Sequence, residues 1–235
     1  MSKPSNEKTA RIAGSLYLAF IGFTLLAEIV RSRLIVFGDA AGTANNIIAS
    51  QWLFRVGFVS ELLSALFFLS AAWALYSLLK PVNNNLALLF VLLNLCGVGV
   101  ESINMLNQYA ALQLLSGASY LNVFQTAQLQ ALAMSYLYSY TDGFMIAQIF
   151  YGAWLLPLGY LVFKSGLLPR ILGILLIIDF FGVLIWFFQF FLLPGYAVIT
   201  YPGLAASFVA EFSLAVWLLV KGVRNRELNL IEALG

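Results

Sequence analysis

The chain contains no histidine and a single cysteine, Cys96. The first absence removes Ser-His and Cys-His nucleophile pairs, histidine-ligated zinc and histidine-ligated haem. The second removes any intrachain disulfide. An enzyme built on these 235 residues would have to work with carboxylates alone. Charge is scarce too: Asp, Glu, Lys and Arg make up 9% of the chain, against about 25% in soluble domains. The net charge is only +2, and the basic residues sit between hydrophobic runs rather than in a stripe, so a nucleic-acid partner has no support. There is no Gly-rich phosphate loop and no carbonyl selectivity-filter sequence. Neither a cofactor nor a metal is expected.

What the chain does have is apolar length. Hydrophobic residues reach 62%, in runs too long to be helices buried inside a soluble core. Six transmembrane helices are predicted, over about 11–30, 52–79, 86–115, 143–163, 169–193 and 202–220. The fold class is therefore an all-α integral membrane bundle, read as a single domain over 1–235. The first run resembles a signal sequence, but it lacks a small-x-small cleavage site and continues to Val30, which predicts a retained span. Lys80-Pro81 stops the second helix, because proline cannot continue it and the residue before proline resists the α region. Pro169 suits the first turn of the fifth helix. Pro157 lies inside the fourth and should kink it. The segment 37–50, rich in Gly, Ala, Asn and Thr, suits a short external loop. The stretch 118–140, with Gln125, Gln128 and Gln130, suits an external connection carrying a short interfacial helix.

Lys and Arg then set orientation. With the amino terminus inside, one face carries Lys3, Lys8, Arg11, Lys80, Lys164, Arg170, Lys221, Arg224 and Arg226. The other carries Arg31 and Arg33, with Arg55 near it. This asymmetry predicts a multi-pass inner (plasma) membrane protein with both termini cytoplasmic and the lipid bilayer as its main partner.

Each span also holds one acid: Glu28, Glu61, Glu101, Asp142, Asp179 and Glu211. Charge in a span is costly, so depth decides what each acid means. At about 1.5 Å per residue from the basic ends, Glu28, Glu61, Glu101 and Asp142 lie about 25–33 Å up. That is the outer boundary of a core about 30 Å thick. There they form an ion-pair and capping belt with Arg31, Arg33 and Arg55, in which Asp142 caps the fourth helix, or else they line a cation-attracting vestibule.

Asp179 and Glu211 stand only about 14–15 Å up, near the bilayer midplane. The short turn between the fifth and sixth helices makes those helices antiparallel neighbours, which would bring the two acids to matching heights. No Lys or Arg reaches that depth, and two unpaired carboxylates in low dielectric cannot both stay ionised cheaply. They are the candidate proton or cation site, with Asn94, Gln148 and Tyr151 as polar neighbours. The bland alternative is a pair of neutral acids hydrogen-bonded between helices as packing glue.

The turn Lys164-Ser165-Gly166-Leu167-Leu168-Pro169-Arg170-Ile171-Leu172-Gly173, with Arg31-Ser32-Arg33, Leu79-Lys80-Pro81 and Leu192-Leu193-Pro194-Gly195, resembles a family of bacterial polytopic membrane proteins. That family is known as a domain of unknown function, DUF4386. The resemblance runs from about Ala10 to Arg224 and implies one helical membrane unit; it carries no substrate or catalytic residue. Two functions therefore stand open: a small transporter or binder of a cation, a proton-coupled solute or a hydrophobic ligand, and a structural or partner-binding subunit.

Overall fold

A computed structural model describes residues 3–223, with side chains from Asn6 onward. Lys3 falls before the described side chains, and Arg224 and Arg226 lie outside the described residues. The elements are α1 (Lys3–Leu34), α2 (Ala40–Ala49), α3 (Gln51–Leu79), α4 (Asn84–Asn104), α5 (Leu106–Leu114), α6 (Thr126–Ser165), α7 (Arg170–Leu192) and α8 (Tyr201–Val220). Two 3-10 segments, Ser119–Leu121 and Pro194–Thr200, join helices, and no strand occurs among the described residues. Six stretches are long and apolar enough to cross a membrane: Asn6–Leu34, Gln51–Leu79, Asn84–Leu114, Thr126–Ser165, Arg170–Leu192 and Pro194–Val220. The protein is thus an all-α, multi-pass membrane protein.

Several boundaries differ from the sequence expectation, each for a local reason. The segment expected as an external loop contains α2. Asp39 caps it by accepting a bond from the Gly42 N–H at 2.7 Å, and the Thr43 hydroxyl is bonded to both backbone groups of Val36. Ile47 then buries completely, so a cap and one apolar face outweigh the loop-like composition. The third span breaks at Met105, between α4 and α5. The fourth span begins at Thr126 rather than 143, because Ala, Leu, Gln and Met propagate a helix readily. The Gln128 side chain also accepts from the Gln125 N–H at 2.9 Å, half of a capping box. Asp142 therefore stands well inside α6 and caps nothing. Pro169 precedes α7 as its cap residue instead of opening it, and α6 runs unbroken through Pro157. The Lys164-to-Arg170 turn is closed by Gly166 at φ +66°, and the Ser165 hydroxyl accepts from the Leu167 N–H at 3.1 Å.

The chain divides into two compact units. One comprises 20–66 and 99–146. Its core packs Val30, Leu34, Ile35, Ala44, Ile47, Phe54, Ala111, Leu112, Ala133 and Leu137. The Thr24 and Ser64 hydroxyls meet at 2.6 Å between α1 and α3, a polar clasp of the kind that joins membrane helices.

The other unit comprises 1–19, 67–98 and 147–235. An aromatic cluster fills its centre. Trp154 lies edge-on to Phe68 at 4.9 Å and stacks near Tyr17 at 6.3 Å; Tyr17, Phe90 and Trp154 are fully buried. Glycine sets how closely the surrounding helices approach. A Cβ on Gly159 of α6 would stand 2.9 Å from the Gly173 carbonyl oxygen of α7, and one on Gly182 would stand 2.9 Å from the Cα of Gly203 on α8. Membrane helices gain little hydrophobic drive toward one another, so this contact of bare backbones supplies much of the packing.

Gly159→Val should therefore separate α6 from α7 and destabilise the protein by about 1–3 kcal/mol. Gly22→Ala is the control, since nothing lies within 4 Å of a Cβ there. Thermal unfolding in detergent should lower the midpoint for the first and leave the second unchanged or slightly raised.

Candidate functional site

Two groups of polar side chains lie in the spans, one in each unit, and their hydrogen bonding differs. In the unit of 20–66 and 99–146, Glu61 on α3 is buried at 6% exposure. Its carboxylate accepts a bond from the Gln108 amide of α5 at 2.8 Å and one from the Tyr140 hydroxyl of α6. It also pairs with the Arg31 guanidinium of α1 at 3.3 Å. Arg31 bonds Tyr140 and Glu28 as well, and its guanidinium carbon lies 5.0 Å from the centre of the Tyr140 ring. Glu101 adds its charge beside Tyr140. Asn104, next to the break between α4 and α5, donates to the Tyr140 carbonyl at 2.8 Å. A carboxylate with three donors, one of them a compensating cation, is fully satisfied.

Not every boundary residue joins this group. Arg33, Arg55 and Asp142 are exposed and take no part in the network. Tyr140, Gln108 and Asn104 do take part and were not expected. Counting along their own helices puts Tyr140 and Gln108 about 36 Å up, beyond Glu61 at about 28 Å, so height alone does not single them out.

The second group is in the other unit. On α7, the residues Leu172, Leu176, Asp179 and Val183 recur at helical spacing and form its buried edge. Asp179 is fully buried, and neither carboxylate oxygen has a hydrogen-bond partner. The Gly182–Gly203 contact pins α7 to α8 one turn from Asp179. One turn further along α8, Ser207 is a polar neighbour of Asp179, placed outside hydrogen-bonding geometry. One more turn brings Glu211, close enough to feel the charge of Asp179.

The third contributor is Tyr17 of α1. Gly14, one turn earlier, lets α1 lie against the α8 backbone, where a Cβ would be 2.5 Å from the Leu219 nitrogen. That approach carries the Tyr17 hydroxyl to Glu211. Three helices thus converge on two carboxyl groups without any Lys or Arg. Tyr17 was not foreseen, although a tyrosine deep in an apolar helix signals a hydroxyl seeking a partner.

The three residues expected as polar neighbours belong to this same unit. The Tyr151 ring lies on Gly97 and 5.3 Å from Phe68. Gln148 is buried at 8%. Asn94 is fully buried, with neither amide atom hydrogen-bonded. Pro157 lies two residues before Gly159, beside the α6–α7 contact. Among the described residues no group of three or more Cys, Asp or Glu is placed to hold a metal ion.

A helical multi-pass membrane protein with one satisfied and one unsatisfied acidic group is the class these features define. The chain belongs to the family described as "Domain of unknown function (DUF4386)", which it matches over residues 12–222. It is 33% identical over 158 residues to an uncharacterized protein of Archaeoglobus fulgidus, covering 67% of this chain and 78% of that one. No solved structure matches it.

Removing one partner from the Glu61 network leaves the others buried and unpaired. Glu61→Ala should destabilise by about 3–5 kcal/mol, and Tyr140→Phe by about 1–3 kcal/mol. Arg33→Ala and Arg55→Ala should stay within about 0.5 kcal/mol. Chemical denaturation in micelles, monitored by tryptophan fluorescence, ranks the four.

Proposed function

We propose that this protein is a small proton-coupled membrane carrier, with both termini cytoplasmic in the inner membrane. Asp179 and Glu211 are its proton-exchanging pair. A single contrast carries the reading. Glu61 is buried with three donors, as a structural acid should be. Asp179 is more deeply buried and has none.

An acid that served only as packing glue would be bonded to its neighbour helix. One left without donors beside a second acid, near the middle of two adjoining helices, is poised to gain and lose a proton as its surroundings change. Tyr17 is the hydroxyl through which a proton or a polar substrate group could reach Glu211. Arg31, Glu28, Glu61 and Glu101 hold helix ends together in this reading, and they do not conduct.

The alternative is a structural or partner-binding subunit, and the fully bonded Glu61 network is what favours it. One experiment separates the two. Proteoliposomes containing a trapped pH dye are challenged with fractions of a small-solute extract. The wild-type protein should give solute-dependent proton movement, and Asp179→Asn with Glu211→Gln should reduce it to the level of empty liposomes. Proton movement that is identical in the double variant excludes the carrier mechanism. No movement with any fraction, together with a stoichiometric protein partner on purification, establishes the structural role.

A further inference from the structure

The pair is asymmetric. Asp179 is sealed, but Glu211 is only half-buried. Position on α8 explains the difference. The buried edge of that helix runs through Ala210, Leu214 and Leu218. Its exposed edge includes Phe208 and Phe212, at 55% and 42% exposure. Ala215, one turn after Glu211, is buried as well, while Phe208, one turn before it, is exposed, so Glu211 stands where the exposed edge gives way to the buried one. The rings of Phe208 and Phe212 stack 5.4 Å apart with only 10° between their planes, making a small aromatic wall on the turn of α8 that carries Glu211. Since α8 crosses the membrane, that exposed edge meets hydrocarbon chains. The half-buried Glu211 therefore has the exposed Phe208 one turn before it, and Tyr17 and Asp179 as its inner neighbours.

We infer that this site takes a lipophilic organic cation entering sideways from the bilayer, with Glu211 as counter-ion and the Phe208–Phe212 wall as its aromatic rest. The inference builds on the carrier reading and names the substrate class. Three features specify that class. The site offers negative charge and no positive charge, so it selects cations. Aromatic faces on the turn that carries the carboxyl group attract an organic cation through the ring quadrupole. The approach is apolar, so a hydrated metal ion would have to shed its water, whereas a cation wrapped in hydrocarbon already partitions there. Arrival of the cation displaces one proton from the carboxyl pair to the aqueous side, and its departure returns one, which balances charge.

Tetraphenylphosphonium is a suitable probe, because it is permanently charged, lipophilic and free of titratable protons. Binding to the detergent-solubilised full chain is measured by isothermal titration calorimetry in weak buffer, with proton release read by a pH dye. The wild type should bind it with release of about one proton per cation, and Glu211→Gln should weaken binding about tenfold or more. Neutral triphenylphosphine oxide should not compete. Phe208→Leu with Phe212→Leu alters only lipid-facing side chains and so tests the idea independently of folding at the acid; it should weaken binding about three- to tenfold.

Undetectable binding, equal binding by wild type and Glu211→Gln, or full competition by the oxide overturns the inference. So does an unchanged affinity in the phenylalanine double variant. If binding fails while solute-dependent proton movement in proteoliposomes persists, the carrier mechanism stands and only the substrate class is wrong. If both fail, both are wrong.

Discussion

Everything about the candidate site depends on the cost of placing a carboxyl group in a helix interior away from water. Such a group is tolerated in two ways: it can be surrounded with donors, or it can carry a proton. This chain uses the first solution at Glu61, where Arg31, Gln108 and Tyr140 converge. No donor is closed onto Asp179, although Ser207 stands beside it. The two acids share the same chemistry and similar burial, and their neighbours make them different objects.

Those neighbours are positioned by backbone contacts between helices. Gly182 against Gly203 holds α7 and α8 within reach of each other, and Gly14 brings α1 onto α8. A larger side chain at any of these points would move one carrier of the site by an ångström or more. Close packing of small residues is also how membrane helices associate when lipid and side chains are equally apolar. Packing and site geometry therefore depend on the same glycines.

The Glu61 network has a different character. It ties α1, α3, α5 and α6 together at side chains that are individually costly to bury, and such pairs contribute more to which helices meet than to net stability. Its outer member, Glu28, is largely exposed, and its pairing with Arg31 adds little. The exposed Arg33 and Arg55 have the same residue type as Arg31 and none of its role. Side-chain direction on the helix separates them.

Much was legible in the chain before folding. Apolar runs of membrane length, bounded by Lys80-Pro81, Pro169 and Pro194, determined six spans, because hydrocarbon tolerates no unpaired backbone group outside a helix. Counting residues from the basic ends set which acids are expected at mid-depth, because a helix rises by a constant step. What counting along a helix cannot supply is direction around it and the identity of the neighbour. That is why Asp142 looked like a cap and lies inside α6, why 37–50 looked like a loop and folds as α2, and why Tyr17, Gln108 and Tyr140 went unnoticed. Only the packing of α1, α7 and α8 decided that Asp179 and Glu211 share one site and that Asp179 has no donor. Hydrogen bonds between helices depend on side-chain orientation across an interface, which local sequence does not encode.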